Sequence, residues 1–356
     1  MTSRPPLAAR SSRGPVDEAQ ERASSWPGAT WHRWVAGATA AAAVLVAAWV
    51  LATEPGAVVH GHPLHAVLLA LTLLVAGTVL VRVALAVGGR RPAKAPRGWR
   101  RAAGVVMVVG ALGWVALLGW LRPSSAVEPA LSATASDAAV TVTETPTALV
   151  LAPTGHPGGT SGTGLVLQPG ARVEARAYAA VLRPLAEDGH LVVVPKQPLG
   201  IAFLALGALD RAKDAHPDVA RWVVGGHSLG GTVAALEADG DGPDEDGRAP
   251  TVGLLLWGSY PAGDVSASLD AAVLSVSASQ DGLTTPADVR ASADDLPAET
   301  SFVVVEGAVH AFFGDYGSQP GDGVPTVDRS TARAEISRAS AEFLDEVGLA
   351  DVSPAR

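Results

Sequence analysis

The chain has 356 residues, enough for two or three structural units with cores of ordinary size. It contains no cysteine, which excludes disulfides, thiolate metal centres and a cysteine nucleophile. The net charge of −9 is unevenly placed. Residues 1–122 carry 13 Lys/Arg against 4 Asp/Glu and residues 123–356 carry 13 against 31, so nucleic acid is excluded as a partner of the acidic part.

Residues 1–34 are rich in Pro, Arg, Ser and Gly and read as a disordered leader. Three apolar runs follow within residues 35–121, at about 35–52, 64–87 and 102–121. Each is close to the roughly 20 residues that cross a bilayer core. Trp31, Trp34, Trp99 and Trp120 stand near their ends, where indole rings sit at headgroup level. Arg82 lies near the end of the second run, within snorkelling reach of the headgroups. The runs therefore read as transmembrane helices rather than buried core helices, with the lipid bilayer as a partner. Arg4, Arg10, Arg13, Arg22 and Arg33 precede the first run. The connection 53–63 has no Lys or Arg, and the connection 88–101 has Arg90, Arg91, Lys94, Arg97, Arg100 and Arg101. The positive-inside rule makes the leader and second connection cytoplasmic, and everything after residue 121 extracytoplasmic. A cleaved signal peptide is the alternative for the first run, against which stand the long leader, the lack of an A-x-A site and the two further runs. His60, His62 and His65 could hold a metal, but an uncharged loop is the better reading and no metal is expected.

Residues 122–137, rich in Ala, Ser and Pro, read as a linker to a domain at 138–356. There β-branched runs at 140–143, 148–151, 164–168, 190–194, 221–224, 252–257, 272–276 and 300–305 predict strands. Helices are predicted around 173–187 and 201–215, just after Ser228, and over 330–347, the last with Ile336, Phe343, Leu344 and Val347 on one side. This alternation implies a doubly wound, mostly parallel α/β sheet, with ligands bound beyond the carboxyl ends of its strands.

Gly226-His227-Ser228-Leu229-Gly230 matches G-x-S-x-G, the sharp strand-to-helix turn that exposes a nucleophilic serine. Chance alone supplies roughly 0.3 such matches in a chain with 39 Gly, so context decides. An apolar strand, Trp222-Val223-Val224, precedes the motif and a helix-forming run follows it. A serine hydroxyl needs a base, and the base an orienting carboxylate, in the chain order Ser, Asp or Glu, His. Asp281 follows one predicted strand and His310 follows the last, in that order. The plain readings are an Asx-turn acid for Asp281 and a packing histidine for His310. Asp264 is the rival acid. The oxyanion hole needs two backbone N–H donors, assigned to Leu229 and to Ala171, with Gly170 close behind. The acidic run 239–246 breaks the calcium-loop spacing at Pro243 and reads as a solvated loop.

These residues resemble the α/β-hydrolase superfamily, in its membrane-tethered bacterial branch distantly similar to dienelactone hydrolases and carboxylesterases. The phrases that carry the resemblance are Gln168-Pro-Gly-Ala-Arg-Val173, Gly226-His-Ser-Leu-Gly-Gly231, Gly258-Ser-Tyr-Pro-Ala262, Gln280-Asp-Gly282 and His310-Ala-Phe-Phe-Gly-Asp-Tyr-Gly317. It spans about residues 130–356. The resemblance implies an α/β-hydrolase fold, the triad Ser228, Asp281 and His310, and no cofactor. It places Tyr260, Asp315 and Tyr316 near the substrate pocket, beside Gly170.

The expected activity is cleavage of an ester-like bond, in a small or lipid-like substrate, through an acyl-enzyme. Transfer of the acyl group to a lipid or sugar is one alternative. A non-catalytic extracytoplasmic binding module is the other, since a fold alone does not settle function. No long cap is inserted between residues 257 and 272, which predicts an open pocket built from loops.

Overall fold

The computed structural model describes residues 31–88, 98–154, 162–241 and 248–349. Two compact units are present, one built from residues up to 49 and 69–120, the other from residues 50–68 and 121 onward.

Helices α1 (Trp31–Thr53), α2 (Pro55–His60), α3 (Pro63–Gly88) and α4 (Gly98–Trp120) come first in the chain. The segments Arg33–Thr53, Pro63–Val87 and Ala102–Trp120 are long and apolar enough to cross a bilayer. Within the first unit Ala40, Ala43 and Ala76 pack together, and Trp114 Nε1 donates to Thr72 Oγ1 at 3.1 Å. Leu45, Leu74, Val106 and Met107 are instead more than half exposed, a surface suited to hydrocarbon rather than water. The leader up to residue 30 and the basic residues Arg90, Arg91, Lys94 and Arg97 lie outside the described residues, while Trp31–Trp34 already belong to α1.

In the second unit eight strands form one sheet: β1 (Val140–Glu144), β2 (Ala148–Pro153), β3 (Thr163–Gln168), β4 (Leu191–Pro195), β5 (Arg221–His227), β6 (Thr251–Trp257), β7 (Ala272–Ala278) and β8 (Ser301–Val305). Their order is β1-β2-β4-β3-β5-β6-β7-β8, antiparallel at β1/β2 and β2/β4 and parallel from β4 to β8. Helices follow in chain order: α5 (Ala130–Ala133), α6 (Ala179–Glu187), α7 (Ala208–Ala215), α8 (Leu229–Gly240), α9 (Pro286–Ala291) and α10 (Arg329–Leu349).

Side-chain alternation along the strands divides the core between the two faces. Leu165, Leu167, Val223, Leu255 and Trp257 meet Leu182 and Leu185 of α6 and Ile336 and Leu344 of α10. Val166, Trp222, Val224, Leu254 and Leu256 meet Leu209 and Ala212 of α7 and Ala234 and Ala235 of α8. The Trp257 indole, wholly buried, donates to Ser340 Oγ at 3.1 Å, so its burial leaves no polar group unpaired.

Three elements depart from the sequence reading. The helix expected over 173–187 becomes regular only at Ala179, because Val173 is bridged to Ser124 and a 3-10 turn, Ala175–Tyr178, intervenes. The helix expected over 201–215 starts at Ala208. Leu199 (φ 55°) and Gly207 (φ 79°) are left-handed, which confines residues 198–205 to short 3-10 turns. The stretch 122–137, expected as a free linker, is bound along the domain. Ser124 N–H donates to Arg172 O at 2.7 Å, Val127 N–H donates to Asp315 O at 2.8 Å, and Ala130 is fully buried.

Candidate active site

The parallel strands converge on one end of the sheet, where their carboxyl ends leave a row of loops. The turn from β5 into α8 is tightly packed. A Cβ on Gly226 would lie 2.3 Å from the Gly230 carbonyl carbon, and one on Gly230 would lie 2.2 Å from Gln168 O. Only hydrogen fits at either place, which is why the motif demands glycine there. Ser228, between them, has φ 54° and ψ −128°. That is a costly conformation for a side-chain residue, of order 1–3 kcal/mol, and the surroundings hold it. Ser228 N–H donates to Trp257 O at 3.0 Å, while Ser228 O accepts from Ser259 Oγ at 2.6 Å and Gly231 N–H at 2.9 Å.

Asp281 follows β7 and His310 follows β8, and the two side chains meet. His310 Nδ1 and Asp281 Oδ2 are 2.7 Å apart, with both side chains buried. Asp281 Oδ1 accepts from Leu283 N–H and Thr284 N–H, each at 2.8 Å. The carboxylate is therefore fully coordinated, and it fixes the imidazole proton on Nδ1. His310 Nε2 carries the lone pair and has no hydrogen-bond partner among the described residues, nor does it reach Ser228 Oγ within bonding distance. Asp322 holds the histidine loop, accepting from His310 N–H at 3.0 Å and Ala311 N–H at 2.8 Å. The rival acid Asp264 is exposed and spent on its own turn, where Ser266 N–H and Oγ donate to it.

The loop after β3 supplies the facing side. Gly170 N–H donates to Tyr178 Oη at 2.8 Å and Arg172 N–H donates to Gly200 O at 2.7 Å. Among the described residues Ala171 N–H, between them, makes no such bond. Neither does Leu229 N–H in the first turn of α8, where helix geometry leaves donors free. Gly170 is thus corrected on both counts: its N–H is occupied, and it is buried against His227 and Tyr178 rather than lining a pocket.

Two more of the expected pocket residues are buried. Asp315 is buried and forms a two-point ion pair with Arg333, at 2.6 Å and 3.2 Å, so it is a structural anchor for α10. Tyr316 is buried with its ring 6.2 Å from that of His227 and donates to Gln319 Oε1 at 3.0 Å. Tyr260 remains half exposed after β6, with its backbone carbonyl held by Thr232 Oγ1 at 3.0 Å. His60 is paired with Glu144, and no cluster of metal-ligating side chains occurs among the described residues. The acidic run beyond Asp241 lies outside them.

Sequence reasoning missed a buried Tyr–His pair behind His310. Tyr178 Oη lies 2.9 Å from His227 Nδ1, within hydrogen-bond reach, and accepts from Gly170 N–H. His227 Nε2 has no hydrogen-bond partner among the described residues. Its ring packs 4.5 Å from that of His310, centroid to centroid. Desolvation, reinforced by the charge of His310, holds His227 well below the usual histidine range, and burial pushes the Tyr178 phenol up. The sequence signal for the pair was His227 inside the motif.

A strained serine, a His–Asp pair and two free amide donors at the carboxyl end of a doubly wound sheet define an α/β-hydrolase domain. Residues 164–334 match the family model described as "Alpha/beta hydrolase family", and this part of the chain has the α/β-hydrolase fold. No curated protein matches the chain. Among solved structures the chain is similar to a putative dienelactone hydrolase from Klebsiella pneumoniae subsp. pneumoniae MGH 78578, at 18% identity and TM-score 0.43, over 56% of this chain and 92% of that one. It is also similar to a dienelactone hydrolase-like promiscuous phosphotriesterase from metagenomic libraries, at 18% identity and TM-score 0.42, with coverage of 56% and 92%.

Proposed function

We propose that the chain is a membrane-anchored serine hydrolase that cleaves an ester-like bond through an acyl-enzyme on Ser228. The observation that carries this reading is the 2.7 Å contact between His310 Nδ1 and the buried Asp281 carboxylate, at the same end of the sheet as the strained Ser228. Ser228 Oγ attacks the carbonyl carbon as His310 Nε2 takes its proton, and Asp281 balances the imidazolium. The Leu229 and Ala171 N–H groups stabilise the oxyanion. The tetrahedral centre collapses, the leaving alcohol takes the proton from His310, and a water repeats the sequence to release the acid. A rotation of the serine side chain brings Oγ to Nε2, since catalytic hydrogen bonds tighten only when substrate is bound.

The three apolar helices anchor the domain to the bilayer, with the leader on the cytoplasmic side and the active site outside, in keeping with the charge of the connecting segments. A small or lipid-like ester is the substrate class. Steady-state hydrolysis of short nitrophenyl esters by the full chain in detergent tests the reading. Activity should be present and should fall by at least about 10⁴-fold in Ser228→Ala. Equal rates in the two proteins would defeat it.

A further inference from the structure

The oxyanion loop contains a second left-handed residue besides the nucleophile. Arg172, directly after Ala171, has φ 63°, a conformation that favours glycine and needs external support in an arginine. Its N–H is held by Gly200 O, and its carbonyl is held by a residue outside the catalytic elements, Ser124, at 2.7 Å. Glu174 N–H returns a bond to Ser124 O at 3.0 Å, so residues 124 and 173 pair like parallel strands.

The next two amides of the same segment are captured by carboxylates. Ser125 N–H donates to Glu54 Oε2 at 2.8 Å, and Ala126 N–H donates to Glu174 Oε2 at 2.9 Å. Glu54 lies between α1 and α2, is only 8% exposed, and is ion-paired with Arg122. Glu174 is 4% exposed and ion-paired with Arg176. Ala57 N–H of α2 donates to Ser125 Oγ at 3.1 Å. The space left between α2 and the loop 172–175 is a cavity of about 30 Å³, room for only one or two waters. Three consecutive amides, 124 to 126, are thereby fixed between the oxyanion loop and Glu54.

We propose that Glu54 is a positioning residue for acyl transfer, acting through residues 122–126 to hold the Arg172 turn and with it the Ala171 N–H donor. This rests on the serine-hydrolase reading and extends it, because the segments that join the membrane helices become part of the oxyanion hole. Removing the Glu54 carboxylate strands the Ser125 N–H, takes away the ion-pair partner of Arg122 and frees the segment that pins Arg172. A misplaced oxyanion donor weakens the transition state more than the ground state.

The test compares ester hydrolysis by full-length wild type, Glu54→Ala and Glu54→Gln in detergent micelles. Glu54→Ala should lower kcat about tenfold with KM within about twofold, the loss of one buried hydrogen bond at the donor. Glu54→Gln keeps an acceptor for Ser125 N–H and should recover most of kcat. Ser125→Ala, which removes only the hydroxyl facing Ala57, should cost a severalfold drop in kcat and remains informative if Glu54→Ala does not fold. Wild-type kcat in Glu54→Ala or, where that variant does not fold, in Ser125→Ala overturns the proposal, as does an equal loss of kcat and Tm in Glu54→Ala and Glu54→Gln. A wild type that cleaves esters while Ser228→Ala does not keeps the hydrolase reading intact in either case. A wild type with no esterase activity removes both together.

Discussion

The two sides of the site are built by different means. The nucleophile side is local: Gly226, Ser228, Gly230 and Gly231 lie within six residues, and the turn is fixed by atoms that cannot be approached more closely. The oxyanion side is assembled at long range. Ala171 sits between amides held by Tyr178 and Gly200, on a loop whose far edge is held by Ser124. A local turn is specified by composition and is hard to perturb from elsewhere. A loop held by distant partners can be moved from any of them, which makes it the adjustable half of the machinery.

The largest predicted effect lies on the base, which both sides share. Asp281→Asn should lower kcat/KM about 10⁴-fold with the fold preserved, since the amide presents the wrong hydrogen-bonding face to His310 Nδ1. Steady-state kinetics and circular dichroism check it, and a loss under tenfold would remove Asp281 from the mechanism. A smaller effect separates the two sides. Tyr178→Phe deletes the acceptor of Gly170 N–H and the hydrogen-bond partner of His227 Nδ1. A cost of about 1–3 kcal/mol follows from unpaired buried groups, or roughly 10- to 100-fold in kcat if it falls on the oxyanion loop. Unchanged kcat with a lowered Tm would assign the cost to packing alone.

The smallest effect is on pH dependence. His227 titrates below its unfolded value of 6.5, so in the window below that value the unfolded chain binds the extra proton. Stability contributed by the neutral ring is therefore present above about pH 6.5 and is lost as pH falls toward the depressed folded value. Thermal melts of wild type between about pH 5 and 7 should show a steeper acid-side loss than those of His227→Gln. Parallel curves would mean that His227 is not held neutral.

The same division explains what could be read from the chain before its structure. The strands were legible because Val, Ile and Leu runs such as Leu191–Pro195 are buried on both faces and leave little ambiguity. The Asp281–His310 pair was legible because its order along the chain is coupled to strand ends. The resemblance gave Asp315 and Tyr316 a place near the pocket but could not say which way either side chain turns after β8. Asp315 points to Arg333, which lies on α10, 18 residues away. The role of residues 122–126 was invisible for a related reason: their bonds are made by backbone amides, so side-chain composition suggested a free linker. The short helix α9 was missed although Thr285 and Asp288 form a capping box, because it is only six residues long and its apolar face is limited to Val289.

The central claim is that Ser228 is the residue acylated. Incubation of the full-length protein with a fluorophosphonate, followed by proteolysis and peptide mass mapping, addresses it directly. One phosphonylated peptide containing Ser228 should be found, and it should vanish in His310→Ala, where the serine loses its base. An unmodified Ser228 in a protein that cleaves esters, or an adduct on another serine that persists in Ser228→Ala, would contradict it.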